Sequence, residues 1–276
     1  MPSECDFDSG DAIVRVCGAQ ITGVWENPDE TLGKVEGFIR YAAECRADII
    51  CFPEQFATGW DPESRNNMQQ ITGPVISTLQ SFARENSIAI LGSVRESSSQ
   101  GPKNTAVVIG KNGSILGHYA KIHLFSHAKE DQFFKPGTSL GIFSIGSFSC
   151  GVAICYDLRF PELFRAYAKL GVQAVFVPAA WPQNRIRFWE LLIRARAAEN
   201  QMYIIGINTF GTTPVDRYSG GSMIADPCGD VIQHASESEQ LIFTDLDSQL
   251  VEMTRKSFPV MCDWKDTLWH DFLQNQ

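Results

Sequence analysis

The 276-residue chain has no run of basic residues, no CxxC pair and no apolar stretch approaching the length of a membrane span. Each absence removes a class of function. Without clustered Lys and Arg there is nothing to neutralise a phosphate backbone, and a net charge of −9 repels one, so no nucleic-acid partner is expected. A bilayer core needs about 20 consecutive apolar residues, so no membrane partner is expected either. The eight cysteines (Cys5, Cys17, Cys45, Cys51, Cys150, Cys155, Cys228, Cys262) show no paired spacing, and several lie inside apolar runs. A disulfide framework does not suit a chain of this length, which points to a reducing compartment and a cytoplasmic location. Met1 to Asp11 is polar and acidic, so 1–11 reads as a flexible N-terminal tail rather than an apolar leader. No low-complexity linker follows, so 12–276 reads as a single domain with a C-terminal tail from about 258 to 276. Asn112-Gly113-Ser114 fits a glycosylation sequon but reads more simply as a hairpin turn.

What is present alternates. "AIVRVCGAQ" (12–20) reads as a strand, and "NPDETLGKVEGFIRYAAECR" as a helix starting near Asn27 or Asp29. "ADIICFPEQF" is a short apolar strand ending at Pro53-Glu54. A helix near 74–86 and the strand "IAILGSV" follow, then two strands joined at Lys111-Asn112-Gly113. After a looser stretch, 123–140, the rhythm repeats: "GIFSI", "FSCGVAIC", helix "FPELFRAYAKL", strand "QAVFVPA", helix "RIRFWELLIRARAAENQ", strand "MYIIGIN". Ile186, Trp189, Ile193 and Ala197 recur at helical spacing, so one face of that helix is expected to be buried. Strands "YSGGSMIADPCGDVIQ" and "QLIFTDLD" and a short helix near 247–256 complete an α/β chain of packed layers.

Three polar residues stand at or just beyond strand ends, where α/β folds place their chemistry: Glu54, Lys121 and Cys155. Singly, each has a plain reading, as a solvated loop acid, a surface lysine and a buried thiol that packs like a small hydrophobe. Together they supply a base, a cation and a nucleophile. A thiol attacks as thiolate, which an adjacent base or cation can supply. A carboxyl shielded from water can act as base and then acid, and an ammonium can stabilise an oxyanion. A strand-to-helix elbow at Cys155 would also aim the Tyr156 N–H at that oxyanion. The serine counterpart of such an elbow, GxSxG, is absent.

"FPEQF", "HYAKIHLF" and "GVAICYDLRFPELFR", in this order, resemble the nitrilase or carbon–nitrogen hydrolase superfamily, as do "PAAWPQNRIRFWELLIRARAAENQ" and "YSGGSMIADPCGDVI". The likeness runs from about residue 12 to about residue 246. It implies a four-layer α-β-β-α sandwich and a Glu-Lys-Cys triad of Glu54, Lys121 and Cys155 working through a thioester, with no metal or organic cofactor. It further implies that Glu130, in "KEDQFFKPG", positions Lys121 and the substrate amide; a solvated loop acid is the alternative. His123, His127 and Glu130 suggest a metal set by residue type, but no H-E-x-x-H pattern occurs.

"AWPQNR" followed by "FWELLIRARAAENQ" resembles omega-amidase-type members, which hydrolyse side-chain amides of small dicarboxylic acids. Such a substrate carries a distal carboxylate, which arginine binds well with two parallel hydrogen bonds. Arg185 is the candidate clamp. Arg159 is placed second, because "DLRFPE" occurs across branches and can serve structure. Tyr156, Trp181 and Phe125 are candidate substrate-binding residues, and Phe133 and Phe134 are further aromatics that either line the pocket or belong to the core. Phe188 stands where related members often have His, which suggests a more apolar pocket. Alternatives within the class are an N-carbamoyl amino acid or amine amidohydrolase and, less fittingly, a nitrilase. A non-catalytic scaffold is the alternative outside it, though no triad residue is missing. The resemblance also implies a homodimer through helices near 161–170 and 185–200, with a C-terminal tail reaching across through Trp264 and Trp269.

Overall fold

The computed structural model describes residues 13–265; the segment read as an N-terminal tail and Trp269 lie outside the described residues. Two six-stranded sheets form its centre. The first contains β1 (Ile13–Gln20), β2 (Ile49–Cys51), β3 (Ala89–Ser98), β4 (Gly101–Ile109) and β5 (Ile115–Ala120), with β14 (Gln240–Asp247) returning to the edge beside β1. The second, in spatial order, is β13 (Val231–His234), β12 (Met223–Ala225), β9 (Tyr203–Asn208), β8 (Ala174–Ala179), β7 (Phe148–Val152) and β6 (Gly141–Ile145). β10 (Phe210–Thr212) and β11 (Arg217–Ser219) form a separate ribbon.

Each sheet has a parallel centre and antiparallel flanks: β1, β2 and β3 run together in one, β7, β8 and β9 in the other. Parallel neighbours need a crossover, and here each crossover carries a helix. α1 (Pro28–Glu44) and α2 (Pro74–Asn86) serve the first sheet, α4 (Pro161–Lys169) and α5 (Ile186–Asn200) the second. α1 begins where expected: the Asn27 side chain accepts the Glu30 N–H, and Pro28 opens the first turn.

Side-chain alternation builds the layers. Val14, Val16, Ile49, Cys51, Ala89, Leu91, Ala106 and Val108 share one core with the second sheet. Their strand neighbours Cys17, Ala19, Ile50, Ile90, Val107 and Ile109 pack instead with Val35 and Ile39 of α1 and Ile76 and Leu79 of α2. Each buried Val, Leu or Ile among them contributes about 1.5–3 kcal/mol, and a one-residue slip would exchange the two faces. At Gly18 the sheets come so close that a Cβ would stand 2.2 Å from Cδ1 of Ile207. In α5, Trp189, Ile193 and Ala197 are buried and Ile186 packs against the core, as their spacing predicts. The expected α-β-β-α sandwich is the architecture found.

Three local features differ from the sequence reading. The stretch 123–140 holds a 3₁₀ turn (Ser126–Ala128) and the single helical turn α3 (Glu130–Phe133). The β10–β11 ribbon is too short for a periodic signal. The elbow at Cys155 leads into a 3₁₀ turn, Cys155–Arg159, and α4 waits until Pro161, because the residue before a proline is held extended. α6 (Ser248–Ser257) follows β14, and beyond it the Trp264 ring lies 4.1 Å from Lys169 Nζ and 6.0 Å from the Arg165 guanidinium, on α4 of the same chain. Trp264 therefore packs against α4 of its own chain.

Candidate active site

The parallel strands of both sheets end on one side of the molecule, and the candidate residues meet there. Glu54 follows β2, Cys155 follows β7 and Lys121 follows β5. All are deeply placed: Glu54 is 2% exposed, Lys121 1%, Glu130 0% and Cys155 9%. Lys121 Nζ lies 2.9 Å from Glu54 Oε1 and 2.9 Å from Glu130 Oε2, so one ammonium sits between two carboxylates. Asn104, buried on β4, donates from Nδ2 to Glu54 Oε1 at 2.7 Å and to Glu130 Oε1 at 3.1 Å. The Ala180 N–H, just past β8, donates to Glu54 Oε2 at 3.1 Å, and the Phe125 N–H to Glu130 Oε2 at 2.7 Å.

Electrostatics follow from this burial. Burial raises the Glu54 carboxyl above the usual range; Lys121 pulls it down, and Glu130 pushes it up again. Burial pushes the Cys155 thiol well up, with the Glu54 charge adding to it and Lys121 opposing. For Lys121 burial acts to lower the value, but Glu130 and Glu54 more than offset it, so the ammonium keeps its proton more firmly than usual. These directions favour a neutral thiol and a protonated lysine, and make Glu54 a stronger base than an exposed carboxylate.

Backbone geometry presents the thiol. Cys155 has φ of 46°, in the left-handed region, which for a residue with a Cβ costs about 1–3 kcal/mol. The fully buried Asp157 holds the elbow: its Oδ2 accepts the Ile154 N–H at 2.9 Å and the Tyr119 hydroxyl at 2.8 Å. Its Oδ1 accepts the His123 N–H at 2.9 Å and contacts His123 Nδ1 at 2.8 Å. Tyr119 and His123 flank Lys121 in sequence, so Asp157 couples the nucleophile's turn to the segment that carries the lysine.

A narrow cleft opens over the thiol, lined by Trp60, Lys121, Phe125, Cys155, Tyr156 and Arg159, and by residues 180–182, Arg185, Asp216 and Tyr218. Tyr156, Trp181, Phe125 and Arg185 thus share the lining with Cys155. The Arg185 guanidinium lies over the Phe125 ring at 5.0 Å. Arg159, placed second by sequence, also lines the cleft, 4.9 Å from the Trp181 ring and 5.1 Å from Phe188. Phe188 thus backs a cation rather than making the wall more apolar. Phe133 and Phe134 lie away from the lining, with Arg65 over both rings. His123 is taken by Asp157 and stacks on Phe160 at 3.7 Å, while Glu130 is taken by Lys121, Asn104 and Phe125; these side chains and His127 do not converge.

Sequence reasoning missed Asn104, the Ala180 N–H, Trp60, Asp216 and Tyr218. An Asn inside the β-branched run "NTAVVIG" was a readable signal, since Asn is depleted in strands. A backbone N–H leaves no such trace.

The carbon–nitrogen hydrolase family model matches residues 13–256. A 2-oxoglutaramate amidase of Bacillus subtilis (strain 168) is 32% identical over 244 residues, spanning 88% of this chain and 94% of that protein. An omega-amidase of Xenopus laevis is 32% identical over 254 residues, spanning 87% and 91%. Among solved structures, a mutant amidase from Nesterenkonia sp. AN1 carries the acetamide moiety of fluoroacetamide covalently added at its active-site cysteine. It superposes with a TM-score of 0.82 at 25% identity, covering 94% of this chain and 97% of that one.

Proposed function

The chain belongs to the carbon–nitrogen hydrolase family, and from that premise we propose that it is a cysteine-dependent amidase that hydrolyses the terminal amide of small dicarboxylic acid monoamides, with Glu54, Lys121 and Cys155 as its triad. The observation that carries this reading is the coupling of a thiol, a base-holding lysine and two arginines within one small cleft.

Because the Cys155 thiol is held well above its ordinary value, a free thiolate is not the resting nucleophile. Its proton passes to Glu54 as sulfur attacks the amide carbon. The oxyanion that forms is held by the Lys121 ammonium and the Tyr156 N–H, charges and dipoles already fixed before reaction. Glu54 then gives the proton to the leaving nitrogen, and ammonia departs from a thioester. Water enters, loses its proton to Glu54 and attacks the thioester; the acid leaves and Cys155 regains its proton. Glu130 gives Lys121 a second carboxylate partner, and with Asn104 limits where the ammonium can sit. Arg185 and Arg159, each pinned over aromatic rings, receive the distal carboxylate.

The finer reading includes a cytoplasmic homodimer. The described cysteines Cys17, Cys45, Cys51, Cys150, Cys155, Cys228 and Cys262 are all free thiols, which suits a reducing compartment. Among the described residues no helix is long and apolar enough to cross a membrane. Leu170 and Leu191, 60% and 61% exposed at the end of α4 and on α5, give the outer face of the second sheet's helices an apolar component that a second copy would cover.

The test is ammonia release from four- and five-carbon dicarboxylic monoamides, neutral aliphatic amides and N-carbamoyl amino acids, with Cys155→Ala beside wild type. Release confined to the acidic amides, and lowered at least about a thousandfold in the variant, is expected. Release from neutral amides alone would discard the arginine clamp, and release undiminished in Cys155→Ala would discard the nucleophile.

A further inference from the structure

Arg95, on β3, is a fully buried arginine that stands outside the cleft wall. All of its nitrogens donate. Nε reaches Gln55 Oε1 at 2.9 Å, and Nη2 reaches the Gly59 carbonyl at 2.7 Å. Nη1 reaches Glu26 Oε1 at 2.7 Å, Ser64 Oγ at 2.9 Å and the Asn66 carbonyl at 3.1 Å. One guanidinium therefore gathers three loop segments, at 26, 55–59 and 64–66. A buried cation is costly unless its partners are complete, and here a carboxylate and four neutral oxygens complete them.

The middle segment bears on the reaction, because Gln55 directly follows Glu54. Gln55 has φ of 48°, in the left-handed region. Glu26, at 52°, shares that region, as does Asn67, at 56°, which donates to Glu26 Oε2 at 2.8 Å. Such backbone persists at residues with a Cβ only where the surroundings over-determine it. Strand geometry supplies the constraint. Ser93 and Arg95 share one face of β3, and Ser93 Oγ accepts the Gln55 N–H at 2.6 Å. Asn104 is the cross-strand partner of Arg95 on β4, and it holds the Glu54 carboxylate itself. The β3–β4 pair thus grips the base twice, through Asn104 at its carboxylate and through Arg95 at the turn that follows it. Lys121 and Glu130 supply the charges that act on Glu54, so Arg95 acts on it through the chain and not through its field.

We propose that Arg95 is a positioning residue for Glu54: its fork fixes the turn after the base, so that the carboxylate meets the Cys155 thiol and the leaving nitrogen in the geometry for proton transfer. The proposal rests on Glu54 as the base and acid of the amidase reading, and not on which amide is the substrate. A planar fork of donors suits the task because it fixes the directions to its partners, which a lysine's point charge does not. Misplacing a reacting group by an ångström, even from a distance, can cost about a hundredfold in rate.

The experiment measures kcat and KM for the amide that wild type hydrolyses fastest and for the p-nitrophenyl ester of the same acid, whose leaving group needs no proton. The variants are Arg95→Met, Arg95→Met combined with Glu26→Gln, and Gln55→Asn. Arg95→Met should lower kcat on the amide by about ten- to a hundredfold, with KM changed less. Its kcat/KM on the ester should fall about tenfold less than on the amide, because proton delivery to the leaving group is the step that suffers. Relieving the stranded Glu26 charge in the double variant should raise melting temperature without restoring kcat. A restored kcat there would show that Arg95 only neutralises Glu26, and would overturn the assignment. So would equal losses on amide and ester, or wild-type kcat in Arg95→Met. Gln55→Asn keeps a residue that tolerates left-handed backbone and shortens the acceptor, so it carries the test should both arginine variants fail to fold. It should show the same amide-selective loss in smaller measure, and wild-type kinetics there would overturn the proposal. Wild type inert towards every amide would instead overturn the amidase reading, and this proposal with it.

Discussion

Glu54 is a carboxylate whose ionised form the fold disfavours and whose reaction requires that form. Burial is the main cause, and the charge of Glu130 adds to it against the pull of Lys121. The acid limb of kcat/KM should therefore lie above the range of an ordinary glutamate, with activity falling as pH drops through it. Stability has the opposite sign. A carboxyl whose folded value exceeds its unfolded value contributes fully below the unfolded value and loses that contribution as pH rises through the folded one. Glu54→Gln, with no charge to bury, should lose activity yet gain melting temperature relative to wild type as pH goes from 5 to 8. A constant difference across that range would contradict the assignment. Lys121 carries the converse risk, because its removal strands two carboxylates. Lys121→Met should cost about 3–5 kcal/mol in urea unfolding at neutral pH, and less in acid, where the carboxylates protonate.

The decisive element is the turn from Cys155 to Arg159. It places Cys155 at φ of 46° with Asp157 as its internal brace. That brace also fixes Tyr119 and His123 on either side of Lys121, so the turn and the lysine segment are positioned by one carboxylate. Asp157→Ala leaves the Ile154 and His123 N–H groups and the Tyr119 hydroxyl without an acceptor. It should lower stability by about 3–5 kcal/mol and kcat more than KM. Tyr119→Phe, which removes one donor and leaves the brace, should show a smaller loss of the same kind. An Asp157→Ala protein with wild-type kcat would show that the turn holds itself.

At the scale of the whole molecule, two βαβαβ halves stand back to back, and their parallel strands point the same chemistry into one cleft. The faces left outermost are those of the helices, and there Leu170 and Leu191 remain exposed. If that face joins two copies, light scattering should give twice the chain mass, and Leu191→Arg should shift the population toward monomer. A wild-type monomer at micromolar concentration would remove the proposed dimer.

By itself the sequence determined the alternation of strands and helices, the buried face of α5, the start of α1 and the positions of Glu54, Lys121 and Cys155. These are local matters: periodicity, capping and motif spacing are written in neighbouring residues. Tertiary structure alone decided that Lys121 sits between Glu54 and Glu130, that Asn104 bridges the two carboxylates, and that Trp60, Asp216 and Tyr218 face the same cleft. It also decided that Arg159 joins Arg185 at the cleft while Phe188 supports it from behind. The physical reason is distance along the chain. Trp60 and Tyr218 come from opposite halves of the sequence, one from the loop after β2 and one from the β10–β11 ribbon, and meet only in the folded chain. No pattern within either segment encodes what the other will bring.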